Sequence, residues 1–145
     1  MNNRQPFFPL GTFIFVVLVI LLMGYSCRGE QLTPEFLKAL NQVEASGKHS
    51  NVIDGDNGRS KGPFQVQYKY WADSKIPGSY AQCSDYDYSV RVVTAYLNRY
   101  ALQAVKHHDY ETLARVHNGG PNGMSRNDTV AYWKRFQKVL TNSHK

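Results

Sequence analysis

Two kinds of hydrophobic pattern divide the chain. Phe13 to Met23 is unbroken hydrocarbon, whereas everything after Thr33 places apolar residues periodically among polar ones. Phe36, Leu37, Leu40 and Val43 recur at helical spacing and so share one face of a helix. Thr33 as cap, Pro34 at the first position and Glu35 in the first turn start that helix, and Ser46-Gly47 stops it. Ser50 to Arg59 is rich in Gly, Asp and Asn and reads as loop, after which Phe64-Gln65-Val66-Gln67-Tyr68 alternates as a half-buried strand would. Ile76-Pro77-Gly78-Ser79 is a turn. Val92, Val93, Tyr96, Leu97, Tyr100, Ala101 and Ala104 form a broad stripe, predicting a central helix from about Tyr86 to Lys106. Asp109 caps a shorter helix with Leu113 and Val116, ended by Gly119-Gly120-Pro121. Asp128 is expected to cap the last, whose inner face is Tyr132, Trp133, Phe136 and Leu140. The predicted class is α+β and predominantly α, with a small β region after the first helix.

The N-terminal hydrocarbon run follows a segment whose only charge is Arg4 and precedes the small residues Gly24 and Ser26. That order describes a secretory signal, with an uncleaved N-terminal anchor as the alternative. The expected division is therefore 1–27 as signal peptide or membrane anchor and 28–145 as one catalytic domain. Either way the domain lies outside the cytoplasm, and contact with a membrane is expected only through an uncleaved leader. The chain carries a net charge of +6. Its Lys and Arg are scattered rather than striped, which argues against nucleic acid. A basic surface suits polyanionic envelope polymers through steering, and plain solubility accounts for it equally. Cys27 and Cys83 are the two cysteines, and a bridge between them would need an oxidising compartment. No Cys pair or His-x-x-x-His spacing suggests zinc, and His107-His108 reads as an exposed helix end. The loop Asp54-Gly55-Asp56-Asn57-Gly58 fails as a calcium loop, with its glycine one place early and Gln65 where the closing glutamate belongs. Neither metal nor cofactor is expected.

The chemistry is carried by carboxylates in unlike settings. Glu44 follows Leu40 and Leu37 at helical spacing and projects from the apolar face near the helix C-terminus. Burial and the helix dipole there both disfavour a charged glutamate, which suits a general acid. A helix-end residue that swings into solvent or pairs with Lys48 accounts for the spacing as well. Asp54 and Asp56 lie in a polar loop whose amides keep a carboxylate ionised, or simply form an Asx-turn. One protonated and one charged carboxyl group are what glycosidic hydrolysis requires. Ser60 and His117 could pair as nucleophile and base. Tyr70 and Tyr80 could stack on sugar rings, whereas Trp71 reads as core.

Taken in order, Gln42-Val43-Glu44-Ala45-Ser46, Asp56-Asn57-Gly58, Gly62-Pro63-Phe64-Gln65-Val66, Tyr70-Trp71, Tyr96-Leu97-Asn98-Arg99-Tyr100, Ala114-Arg115-Val116-His117-Asn118-Gly119-Gly120-Pro121-Asn122-Gly123 and Tyr132-Trp133 resemble the invertebrate-type (destabilase-like) lysozymes. The likeness runs from about Leu37 to Leu140, and His-Asn-Gly-Gly-Pro is its most specific piece. It implies a lysozyme-like fold and hydrolysis of the β-1,4 bond between N-acetylmuramic acid and N-acetylglucosamine in peptidoglycan. By position Glu44 matches the family's acid and Asp56 its second carboxylate. Tyr70, Tyr80, His117 and Asn118 are the candidate substrate contacts. The alternatives are a lytic transglycosylase or goose-type activity using Glu44 alone, and a non-catalytic peptidoglycan-binding module. Some members are also credited with isopeptidase activity through a serine and the histidine. Here the serine's expected place directly after Gly58 holds Arg59, so that activity would need Ser60 within hydrogen-bond reach of His117. A second departure is the near absence of cysteines from a family normally stapled by disulfides.

Overall fold

A computed structural model describes residues 29–142. Five α-helices, α1 (Pro34–Ala45), α2 (Tyr68–Ser74), α3 (Tyr86–His107), α4 (Tyr110–Gly119) and α5 (Asp128–Asn142), accompany one small antiparallel hairpin, β1 (Ser60–Lys61) and β2 (Val66–Gln67). Helix α3 runs through the middle, packed by α2 and α4, while α5 lies against both α4 and α1. The leader expectation for 1–27, and with it the Cys27–Cys83 pairing, falls outside the described residues. Among the described residues no helix is long and apolar enough to cross a membrane.

The caps explain most helix starts. The Thr33 hydroxyl accepts from the Phe36 amide at 3.1 Å, and the Asp85 and Asp109 carboxylates accept from Tyr88 and Thr112 at 2.8 and 3.1 Å. Helix α1 ends as its sequence predicts, with Ser46 and Gly47 both left-handed. Asp128 differs from expectation. It sits inside the first turn of α5 and spends its carboxylate on the Arg126 guanidinium instead. That neighbour holds the Asp128 carboxyl below its ordinary value.

The core is one cluster in which Phe36, Leu40, Phe64, Val92, Val93, Leu97, Ala114 and Phe136 lose all contact with water. Phe36 packs on Phe136 and Tyr110 with ring centroids 5.2 and 5.5 Å apart. On the last helix Tyr132 and Phe136 are buried, whereas Trp133 and Leu140 are half-covered at the edge.

The predicted strand at Phe64–Tyr68 shrinks to two residues. Gln65 adopts a left-handed φ of 47°, which breaks the extended run, and Tyr68 already begins α2. What remains pairs Ser60 with Gln67 and Lys61 with Val66. Gly62 in the connecting turn has φ +68°, and a Cβ there would lie 1.9 Å from the Cys83 carbonyl oxygen. Only glycine lets the hairpin approach that segment so closely. The buried Asn41 amide then ties α1 to this hairpin, donating to the Lys48 and Pro63 carbonyls at 2.9 and 3.0 Å. The two segments that carry Glu44 and Asp56 are thus locked together.

Candidate active site

A groove of about 940 Å³ runs across one side of the molecule, bounded by α1, the Asp56 loop, α2, α3 and the segment that follows α4. Glu44 and Asp56 both line it, together with Ser60, Gln67, Lys69, Tyr70, Asp73, Tyr96, Tyr100, His117, Asn118, Gly119, Gly120, Pro121 and Arg126.

Glu44 reaches the groove from the last turn of α1. Its side chain is 16% exposed, and its Oε1 accepts from the Tyr132 hydroxyl at 2.5 Å. The His117 Nε2 stands 3.6 Å from the same oxygen, on a side chain only 5% exposed. On its other side His117 meets the Tyr70 hydroxyl, 3.0 Å from Nδ1. Tyr70 in turn stacks on Tyr96 with centroids 3.6 Å apart and planes within 16°. Burial, with Tyr96 and Glu44 nearby, pushes the Tyr70 hydroxyl well above its ordinary pKa. Tyr132 is raised likewise, first by burial and then by Glu44. Both hydroxyls therefore keep their protons at any pH the protein meets.

Asp56 occupies different surroundings. It is exposed, and its Oδ2 accepts from Ser60 Oγ at 3.0 Å and Gln67 Nε2 at 3.3 Å. Asp56 and Asn57 are both left-handed, with φ 49° and 58°, a conformation Asp and Asn tolerate better than other side chains. Gly55 and Ser60 close the loop beneath them through paired backbone bonds of 2.9 and 3.1 Å. Asp54 is not part of the groove lining and pairs with Lys61 at 2.6 Å.

The remaining sequence candidates separate. Tyr70, His117 and Asn118 line the groove; Tyr80 does not. The Tyr80 hydroxyl sits 2.7 Å from the Arg59 carbonyl and 2.9 Å from that of Val66, stitching the hairpin. Trp71 donates to the Tyr88 hydroxyl at 2.8 Å on the covered side of α2. The Ser60 hydroxyl is spent on Asp56, and the two His117 nitrogens face Tyr70 and Glu44, so no Ser60–His117 hydrogen bond forms. Among the described residues no group of three or more His, Cys, Asp or Glu side chains is placed to hold a metal ion.

The sequence profile of the Destabilase family matches residues 34–139, from the first residue of α1 to near the end of α5. The chain belongs to this family of invertebrate-type lysozymes. As a lysozyme it is a glycoside hydrolase. It is 38% identical to the lysozyme of Magallana gigas over 127 residues, covering 83% of this chain and 90% of that one. Against the lysozyme of Ostrea edulis it is 30% identical over 122 residues, 81% and 88% of the two chains. Among solved structures, Tapes japonica lysozyme superposes with a TM-score of 0.63 at 34% identity, covering 74% of this chain and 90% of that one. Meretrix lusoria lysozyme, in complex with Aeromonas hydrophila PliI, gives 0.62 at 33% with the same coverage. The lysozyme fold expected from the sequence is the fold observed.

Two features of this lysozyme's groove escape sequence reading. Tyr132 lies on the inner face of an amphipathic helix, and periodicity cannot say that a carboxylate waits opposite. Arg115, 9% exposed, pins the loop after α4. It donates to Thr129 Oγ1, Glu111 Oε1 and the Met124 and Arg126 carbonyls at 3.0, 3.0, 2.9 and 3.3 Å. That pin sets the wall formed by Gly119 to Arg126.

Proposed function

We propose that this lysozyme cleaves the β-1,4 bond between N-acetylmuramic acid and N-acetylglucosamine, with Glu44 as general acid and Asp56 as the second carboxylate. The observation that carries the reading is the asymmetry of the groove. Glu44 sits in a water-poor corner between Tyr132 and His117, and Asp56 sits exposed on a hydrogen-bonded loop. A sheltered carboxyl group suits proton donation, and a solvated one suits an anion. Glu44 gives its proton to the glycosidic oxygen as the C–O bond breaks. Asp56, charged, attacks or shields the oxocarbenium-like carbon. Water then adds to that carbon as Glu44 recovers its proton. Tyr70 and Asn118 are proposed to contact the glycan.

Export outside the cytoplasm, by a cleaved leader or under an N-terminal anchor, belongs to the same reading, because peptidoglycan lies beyond the membrane. The Meretrix lusoria relative is bound by PliI, and we extend susceptibility to such an inhibitor to this chain. The test is mass spectrometry of muropeptides after digestion by the wild type and Glu44→Gln. Reducing ends with wild type and none with the variant are expected. Anhydro ends would establish transglycosylation, and glycan binding without products would establish a binder. Equal activity of the variant would remove Glu44 as the acid.

A further inference from the structure

We infer that Tyr132 and His117 are positioning residues that anchor Oε1 of Glu44 and so assign the transferable proton to Oε2. This rests on the reading of Glu44 as general acid. The hydroxyl from α5 donates to Oε1 at 2.5 Å, and Nε2 from α4 faces the same oxygen at 3.6 Å. No hydrogen bond from the described residues reaches Oε2. A protonated carboxyl group has one oxygen that only accepts and one that donates. The Tyr132 donor on Oε1, with Nε2 facing the same oxygen, makes it the acceptor, leaving Oε2 to carry the acidic hydrogen toward the groove.

The tautomer of His117 follows from Tyr70. That buried hydroxyl keeps its proton and lies 3.0 Å from Nδ1. Donated to Nδ1, it places the imidazole hydrogen on Nε2, aimed at Glu44. The opposite tautomer would set an Nε2 lone pair against an Oε1 lone pair and leave the Tyr70 hydrogen without a partner. At 3.6 Å the Nε2 contact is longer than a hydrogen bond, so His117 acts on Oε1 by the direction of its N–H dipole. The groups facing the carboxyl are therefore Tyr132, His117 and, behind it, Tyr70, with Asp56 elsewhere on the groove lining. Both donors hold a carboxylate more tightly than a neutral acid, so their contribution grows as the proton leaves.

The experiment is steady-state kinetics on soluble peptidoglycan fragments for Tyr132→Phe, His117→Leu, His117→Gln and Glu44→Gln, each checked by circular dichroism. Tyr132→Phe is expected to lower kcat roughly 10- to 100-fold, the worth of one hydrogen bond to a charged group. KM should stay within about twofold, as for a group that acts only in the transition state. His117→Leu should lose kcat, and His117→Gln, which restores an N–H, should recover part of it. A loss confined to KM, or a His117→Gln variant no better than His117→Leu, overturns the inference. If Tyr132→Phe does not fold, the His117 pair decides. An active Glu44→Gln removes the acid reading and this inference with it. An inactive Glu44→Gln beside unaffected Tyr132→Phe and His117→Leu leaves the acid in place and removes only the positioning role.

Discussion

Replacing Arg115 by methionine should loosen the wall of the groove without touching either carboxylate. Methionine keeps much of the buried stem, so the loss is one of hydrogen bonds. Glu111 is 43% exposed and rehydrates, contributing little. The Met124 and Arg126 carbonyls lose guanidinium donors in a part-buried loop, and the fully buried Thr129 hydroxyl loses a charged neighbour. With roughly 1–3 kcal/mol for each buried group left unpaired, and some relief because Thr129 still reaches the Arg126 carbonyl, the total is about 3–5 kcal/mol. For a domain of this size that lowers Tm by roughly 10–20 °C. Lysine should not rescue, because one ammonium cannot satisfy a fork that spans a hydroxyl, a carboxylate and two carbonyls. Differential scanning calorimetry of the wild type, Arg115→Met and Arg115→Lys measures this directly. Melting of either variant within a degree or two of wild type would refute the account of the loop as pinned by this side chain.

Other outcomes follow from the same geometry. Asp56→Asn should cost at least roughly 100-fold in cell-wall clearing, the scale of losing one preorganised electrostatic group. Asp54→Asn should cost little, since its half-exposed pair with Lys61 lies off the groove lining; the reverse ranking would exchange their roles. Cys83 should resist thiol reagents at neutral pH, because burial pushes its thiol up to about 11. A raised thiol binds its proton more tightly folded than unfolded. Its contribution is therefore complete below about pH 9 and lost as pH climbs toward about 11. Urea titrations across that window should show falling stability, less steeply in Cys83→Ala; equal slopes would contradict this.

Much of the helical frame could be read from local chemistry. Thr33-Pro34-Glu35 and Asp109 are short-range signals, and the caps they predict are the caps that form. Glu44 and His117 could be placed on their helices for the same reason. The misreadings occur where distant contacts decide. Phe64 to Tyr68 has strand composition, yet the left-handed Gln65 and the close approach at Gly62 reduce it to a stub. Tyr68 to Ser74, with its aromatic run, reads poorly as helix but becomes one against α3. Nothing local to Tyr80 announces that its hydroxyl turns inward to two carbonyls. Tyr132 carried no local mark of its role, because its partner lies 88 residues away.

That long reach has a bearing on when the enzyme can work. The hydroxyl beside Glu44 arrives on the helix Asp128–Asn142, so a chain still being synthesised holds Glu44 without the group that seats it. Activity would then begin only once residues 128–142 have docked. Fusions or truncations that disturb residues 128–142 should silence the enzyme while leaving Glu44 and Asp56 in place.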